Sequence, residues 1–249
     1  MIFIDAPSDW KDLEKRVCQI LSECGCRTER GKHLSLRRGG VDIDVYAEDL
    51  TREPHLVIVC ECKHWKARVP KSTIHSFRTV VGETGAHVGF IVSSVGFQSG
   101  AIEAVKNTNI ELVTWQQFQK RFYDRWFDAM QAKLEPLATG VSEYSDYFHP
   151  RTTSVLHAIP ERVNELKALW EHFSAYTQFK LSLFIKRRIK FPLSIPDPRP
   201  GASAGAKLKV ADARTYFDIM LASAQPAIDA YEAFISKYQK ADAANKRSR

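Results

Sequence analysis

The chain has 249 residues, of which 44% are hydrophobic and 26% are charged. This length accommodates one large domain or two small ones, and the composition excludes both wholesale disorder and a membrane protein. The apolar stretches are shorter than a membrane span, and residues 1–5 lack the basic and apolar regions of a signal peptide. We therefore expect a cytoplasmic protein with no membrane attachment.

The formal net charge of +7 is unevenly distributed along the chain. Residues 1–120 hold 16 basic and 15 acidic residues, whereas residues 121–249 hold 20 basic and 14 acidic ones. An excess of this size suits a polyanionic partner, although many basic proteins bind no nucleic acid.

Four of the five cysteines occur as two pairs with one residue between them, Cys24/Cys26 and Cys60/Cys62. Zinc binding by these four is conceivable, but this spacing is not the usual one for structural zinc. Cys60 and Cys62 belong to an apolar strand pattern, where a reduced cysteine acts as a small hydrophobe. We therefore favour reduced thiols in a core.

The first part of the chain predicts a helix followed by three strands. The helix begins after Ser8 or Asp9 and ends near Glu23, and Glu14 lies on or beside its apolar face. Strands are predicted over 27–36, 41–47 and 56–62, with a tight basic turn at 37–40.

Helices and strands then alternate. Pro70 begins a helix, residues 88–92 form a strand, a helix begins near Gln98, residues 110–113 form a strand, and another helix begins near Trp115. This order predicts an α/β fold, a mixed sheet flanked by helices in which the later strands are parallel.

The remainder of the chain predicts helices alone. We expect a domain boundary between residues 120 and 121, an all-α region over 121–249, an exposed linker-like loop near 192–206, and a last helix over about 208–240 that is bent or broken at Pro226. Long helices rarely bury themselves completely, so homodimerisation through these C-terminal helices is expected. The aromatic residues of this half have the spacing of core or interface positions.

The segment from Lys180 to Lys190 carries five basic residues and no acid. It favours a helix that faces DNA or guides the substrate. A solvated helix end is the plainer interpretation, and a membrane-surface helix is a weaker one.

Two strands carry the residue types of a metal-dependent nuclease. Side chains two apart on a strand share a face, so Glu61 lies beside Lys63 and Asp42 beside Asp44. Mg²⁺ prefers hard oxygen ligands and retains waters, so a few donors suffice. We predict Asp44, Glu61 and the backbone carbonyl of Cys62 as ligands. Lys63 is predicted to orient the attacking water, and Glu14 to add a carboxylate from the first helix.

These motifs, taken together, resemble the Mrr-like, type IV-related restriction endonucleases of the PD-(D/E)xK nuclease superfamily. The resemblance covers about residues 8–120 and rests on three stretches, residues 38–45, 60–65 and 89–101. It implies a restriction-endonuclease-like fold and one essential Asp on the acidic strand. The Gly-Gly-x-Asp register points to Asp42 and the acid-Ile-Asp register to Asp44; we favour Asp44, with Asp42 as a helper. Many family members have Gln at the position of Glu61, and Glu, the standard residue of the wider superfamily, favours a competent metal site.

The resemblance implies a Mg²⁺-dependent DNA endonuclease, with Mn²⁺ as a substitute, acting in restriction or antiviral defence. A partner protein of that system is a candidate partner. Basic and polar residues around the motif are candidate nucleic-acid contacts, namely Arg37, Arg38, His64, Lys66, Arg68, Lys71 and Gln98. The alternatives are a catalytically inactive nuclease-fold module that binds nucleic acid or scaffolds a complex, and an RNA-directed or partner-controlled nuclease effector.

Overall fold

The chain divides into two compact units within one long helix, between Ala129 and Met130. The computed structural model describes residues 1–36, 39–146, 149–150, 153, 163–186, 188–203 and 205–247. The sequence placed the boundary about nine residues earlier, at 120–121. The N-terminal unit therefore includes the first half of the helix that follows its last strand.

The N-terminal unit contains a five-stranded mixed sheet with helices around it. Its order is β1-β2-β3-β4-β5, antiparallel from β1 to β3 and parallel from β3 to β5. The predicted alternation of elements and the parallel later strands are thus confirmed. The elements in chain order are α1 (Trp10–Glu23), β1 (Cys26–Leu36), β2 (Gly39–Asp49), β3 (Leu56–Lys63), α2 (Lys71–Glu83), β4 (Val88–Ser93), α3 (Ser99–Ala104), β5 (Ile110–Thr114) and α4 (Trp115–Glu143).

Alternating polarity determines which residues of β2 enter the core. Ile43, Val45 and Ala47 are buried, whereas Asp44 and Tyr46 between them are only partly covered. This is the period of two that a strand with one apolar face requires.

Helices α2 and α3 share a core with the sheet. Phe77 and Val81 of α2 pack in the same apolar cluster as Val59 and Ile91. The approach is close at Gly89 of β4, where an added Cβ would lie 2.5 Å from Val81 Cγ2 and 2.8 Å from Phe77 Cε1. Glycine therefore allows α2 to lie directly against β4.

The β2–β3 ladder ends before β3 does. Its pairs run from Asp49–Leu56 to Val45–Cys60, whereas β3 continues to Lys63 alongside β4, where Lys63 pairs with Ser93. The last three residues of β3 therefore have a strand neighbour on one side and an opening on the β2 side.

The cysteines are reduced core residues, as predicted. All five are free, and Cys24, Cys26, Cys60 and Cys62 are buried. Burial raises the pKa of the Cys24 thiol to about 12 and that of Cys62 well above its usual value.

The C-terminal unit is helical, with one small sheet. After the second half of α4 come α5 (Val163–Phe184), β6 (Leu193–Pro196), β7 (Lys207–Val210) and α6 (Ala213–Arg247), and β6 pairs with β7 antiparallel. Aromatic residues pack in its interior: the rings of Tyr144 and Tyr231 stack with centroids 5.0 Å apart, and the Tyr176 hydroxyl donates to the Met220 carbonyl at 2.7 Å.

Three expectations for this unit need correction. The region is not purely α-helical, and residues 192–206 are not simply an exposed loop, because β6 begins at Leu193 and Asp197 beyond it is buried. The Arg199 guanidinium donates to both carboxylate oxygens of Asp197, at 2.9 and 2.7 Å, which orders the connection. Helix α6 also continues through Pro226 without a break.

No helix among the described residues is both long enough and apolar enough to cross a membrane.

Candidate active site

Asp44 lies where the β2–β3 ladder has ended. Its Oδ2 accepts a hydrogen bond of 2.7 Å from the backbone N–H of Cys62. The two backbone groups of a strand residue point to the same edge, so the Cys62 carbonyl also faces the β2 side. The side chain of Asp44 thus takes the place that a backbone acceptor would hold in a continued ladder.

Glu61 and Lys63 lie on the same face at the end of β3, as the period of two requires. The Lys63 ammonium forms an ion pair with Glu61 Oε1. The Glu61 side chain is 24% exposed and the Lys63 side chain 19%. The pair is therefore sheltered but open to a ligand. The ammonium also lies 5.3 Å from the centroid of the exposed Trp65 ring.

Helix α1 brings a third carboxylate, Glu14, into the electrostatic surroundings of this pair. Burial and the nearby Asp44 carboxylate raise the pKa of Glu14, and Glu61 adds to the effect. Burial and the Glu61 carboxylate likewise raise the pKa of Asp44. The hydrogen bond from the Cys62 N–H and the charge of Lys63 lower this pKa but do not outweigh them. Neighbouring acids with raised pKa values indicate negative charge that the protein itself compensates only in part.

The donor set fits a hard divalent cation. Asp44, Glu61 and the Cys62 carbonyl supply oxygens, and Mg²⁺ typically uses one or two carboxylates and keeps several waters. Among the residues that the structure describes, no three His, Cys, Asp or Glu side chains form a ready-made metal cluster. A site built from these residues would therefore depend on the backbone carbonyl and on water.

Asp42 is not brought to this point. Its side chain is 80% exposed, and its Oδ1 lies 2.7 Å from Nδ1 of His33 on the neighbouring strand. Of the two alternatives that the sequence left open, Asp44 is therefore the one that the fold places beside the end of β3.

The segment after β3 carries most of the predicted nucleic-acid contacts. Lys66, Arg68 and Lys71 are exposed. His64 is partly buried, and its Nε2 lies 3.1 Å from the Pro7 carbonyl, so it anchors the segment to the N-terminal residues. The exposed Gln98 makes a long contact of 3.5 Å with the Arg68 carbonyl. Arg37 and Arg38 lie outside the described residues.

Two serines at the end of β4, Ser93 and the following Ser94, support the site in a way that the sequence did not predict. The Ser94 backbone N–H donates to the Lys63 carbonyl at 3.1 Å, and its hydroxyl to the Trp65 carbonyl at 3.3 Å. Ser93 is fully buried, and its hydroxyl bonds to the backbone carbonyl and N–H of Gly96, which holds the turn. In the sequence, the two consecutive serines at the end of an apolar strand pattern could have indicated this supporting role.

Residues 6–122 match the Mrr_cat family model, described as a restriction endonuclease. One similar solved structure, a protein of unknown function designated AF1548, is 17% identical, with a TM-score of 0.40 over 49% of this chain and 66% of its own. Another, the DNA modification-dependent restriction endonuclease AspBHI, is 11% identical, with a TM-score of 0.30 over 47% and 38%.

The chain thus spans less than two thirds of either of these proteins. No curated protein matches the chain. The family match confirms the restriction-endonuclease-like fold class of the N-terminal unit. Residues 6–122, just under half of this chain, form a restriction endonuclease domain that matches the Mrr_cat family model.

Proposed function

We propose that this protein is a metal-dependent endonuclease that hydrolyses phosphodiester bonds of DNA, with Mg²⁺ as its ion and Mn²⁺ as a substitute. One observation carries the proposal: the Asp44 carboxylate is held on the Cys62 N–H at the opening beside the Glu61–Lys63 pair. An inactive binding module gains nothing from carboxylates placed close together at a partly desolvated point, because their repulsion costs stability.

Each residue of the site has a role that follows from its chemistry. Asp44, Glu61 and the Cys62 carbonyl would hold the ion. A bound Mg²⁺ neutralises charge on the phosphate and makes water a stronger nucleophile. Lys63 is a compact cation that can orient the attacking water and stabilise negative charge that develops on the phosphate. Glu14 contributes a further acceptor for a proton or a hydrated ion.

The segment after β3 would bind the DNA backbone. Lys66, Arg68 and Lys71 are exposed cations on the chain that leaves the site, and phosphate contacts position a duplex without reading its sequence. By its family, the protein would act in restriction or defence against foreign DNA, as a homodimer or with a partner protein of that system.

The test is cleavage of methylated and unmethylated plasmid by wild type and Lys63→Ala in Mg²⁺, Ca²⁺ or EDTA. We expect wild type to cleave in Mg²⁺ alone and the variant to lose at least about a hundredfold in rate, since electrostatic stabilisation of this kind is worth about that much. Binding to DNA in Ca²⁺ should remain close to that of wild type.

Lys11→Ala is the matched control, because Lys11 is an exposed lysine on α1. Equal cleavage by Lys63→Ala and Lys11→Ala would refute the assigned site. DNA binding by wild type without cleavage under any of these conditions would favour the inactive module.

A further inference from the structure

The positive charge of this protein is concentrated in one segment of the C-terminal unit. Residues 180–210 contain eight Lys and Arg and one acid, Asp197, so they carry a net +7. The other 28 basic and 28 acidic residues cancel. The single acid is itself bound by Arg199. The whole net charge of the chain therefore belongs to 31 residues.

The same segment exposes large apolar side chains at the end of α5. Phe184 is 86% exposed, Leu181 57% and Ile185 52%. The buried aromatic residues of α5, Phe173, Tyr176 and Phe179, lie earlier in the helix. An exposed phenylalanine next to two exposed aliphatic residues is unusual on a soluble surface and marks a place of interaction.

The backbone shows how the segment displays these residues. Helix α5 ends at Phe184, and Lys186 adopts a left-handed conformation with φ of 52° while its N–H bonds to the Leu183 carbonyl at 2.9 Å. The helix thus stops with its apolar tip outward, and the chain passes directly through the exposed Arg188 and Lys190 towards β6.

The small sheet adds two more cations. Along β7, Val210 is buried, whereas Lys207 and Lys209 are exposed and pair with Pro196 and Ser194 of β6. We call residues 180–186 and 188–190 together with Lys207 and Lys209 the basic apolar surface.

We infer that the basic apolar surface is a second DNA contact, separate from the active-site segment, in which lysines bind phosphates and Phe184 stacks on a base. The inference rests on the proposed function, which supplies DNA as the polyanion. Charge complementarity selects this occupant, because lysines around an aromatic side chain form the usual combination for bases and backbone together.

A second copy of the chain is a poor occupant of this surface. Self-association through it would bring together two surfaces that each carry several positive charges, and such repulsion opposes symmetric pairing. An anionic membrane shares the attraction to lysines but gives no stacking partner for Phe184, so the two occupants can be separated by experiment.

The test measures the binding of a fluorescent DNA duplex and of the matching single strand by the full chain in Ca²⁺, as a function of salt. Lys186→Glu/Lys190→Glu should reduce the slope of log affinity against log salt by about two and weaken binding at least about tenfold. Phe184→Ala should weaken binding about tenfold with the slope unchanged, more for single strands, because stacking is not ionic.

Lys133→Glu/Lys167→Glu is the matched control, since it reverses two exposed lysines of the same unit outside the surface. The inference is supported if Lys133→Glu/Lys167→Glu binds DNA like wild type while Lys186→Glu/Lys190→Glu binds it more weakly. Equal loss in both double variants would show a nonspecific charge effect and overturn it. So would unchanged binding by Lys186→Glu/Lys190→Glu and Phe184→Ala.

The inference would also be overturned, in favour of a membrane surface, if wild type bound anionic vesicles more tightly than DNA and Phe184→Ala lost the vesicle binding. Failure of the nuclease proposal is distinguishable, because binding in Ca²⁺ is measured without cleavage. A wild type that binds DNA through this surface but never cleaves would refute the nuclease and leave this inference standing.

Discussion

At the scale of single residues, the candidate site is distinguished by the position of Asp44 relative to Asp42. Asp42 and Asp44 share one face of β2, so the side-chain period alone cannot separate them. The fold does so through the Cys62 N–H, which bonds to Asp44, while Asp42 remains exposed beside His33. A difference of two residues along one strand thus separates a sheltered carboxylate from a solvated one.

Asp44→Asn should therefore lower the rate of Mg²⁺-dependent cleavage at least about a hundredfold, because a neutral amide is a poor ligand for a hard cation. Asp42→Asn is the matched control, and we expect it to reduce the rate no more than about fivefold. Single-turnover cleavage of a labelled duplex gives both rates. The opposite order of effects would assign the essential position to Asp42.

Asp49 gives a prediction about stability and pH. Burial by itself would raise the pKa of Asp49, but the Arg125 guanidinium and Thr51 outweigh it and lower the pKa to about 2 from an ordinary 3.8. Arg125 donates to its two oxygens at 2.6 and 2.8 Å. The carboxylate therefore stabilises the fold above about pH 4, and this contribution is lost as the pH falls towards 2.

We expect this loss to be about 2 kcal/mol of the free energy of unfolding. Urea denaturation of wild type and Asp49→Asn between pH 6 and pH 2 measures it. The variant should be less stable at pH 6, and the difference between the two proteins should shrink towards pH 2. A difference that stays constant over this range would contradict the assignment.

At the scale of elements, close packing of α2 on the sheet aligns the part of β4 that runs beside β3. Gly89 makes this possible, since any side chain there would meet Val81 and Phe77. The parallel pairing of β3 with β4 continues to Lys63, after the ladder between β2 and β3 has ended at Val45–Cys60, and β2 itself continues to Gly39 alongside β1. The site thus depends on the point where β2 and β3 stop pairing, supported by helix packing.

Gly89→Val should therefore destabilise the N-terminal unit by about 1–3 kcal/mol, the usual cost of overpacking a core. Gly82→Ala is the control, because Gly82 lies in α2 with open space around an added Cβ. There alanine should be neutral or stabilise by up to about 1 kcal/mol through its helix propensity. Thermal unfolding followed by circular dichroism compares the two variants. Equal stability of both would contradict the close approach of α2 and β4.

At the scale of the whole molecule, two units carry different properties. The N-terminal unit has the family match and the clustered carboxylates, and the C-terminal unit contains the segment that carries the net charge. In our proposals the chemistry therefore belongs to the N-terminal unit, and the C-terminal unit adds a second contact with the polyanion.

A bound ion should accordingly stabilise the N-terminal unit. A ligand at ten times its dissociation constant adds about 1.4 kcal/mol to the free energy of unfolding. Hydrogen exchange with and without Mg²⁺ should show added protection around residues 42–64 in wild type and none in Asp44→Asn. Protection that is equal in both proteins would place the ion elsewhere.

The sequence by itself determined the order of elements in the N-terminal unit, its parallel later strands and its buried cysteines, and it supplied the candidate residues of the proposed site. These follow from local periodicity and from motifs that are contiguous in the chain. It did not predict β6 and β7, because two four-residue strands on either side of a Pro- and Gly-rich stretch leave too short a pattern.

Only the tertiary structure placed Asp44 rather than Asp42 beside the end of β3, brought Glu14 into the surroundings of Asp44, and exposed Phe184 among lysines. Each of these depends on where a ladder or helix ends relative to a neighbour distant in sequence. Packing between elements sets these end points. The side-chain period within one element carries no information about that packing.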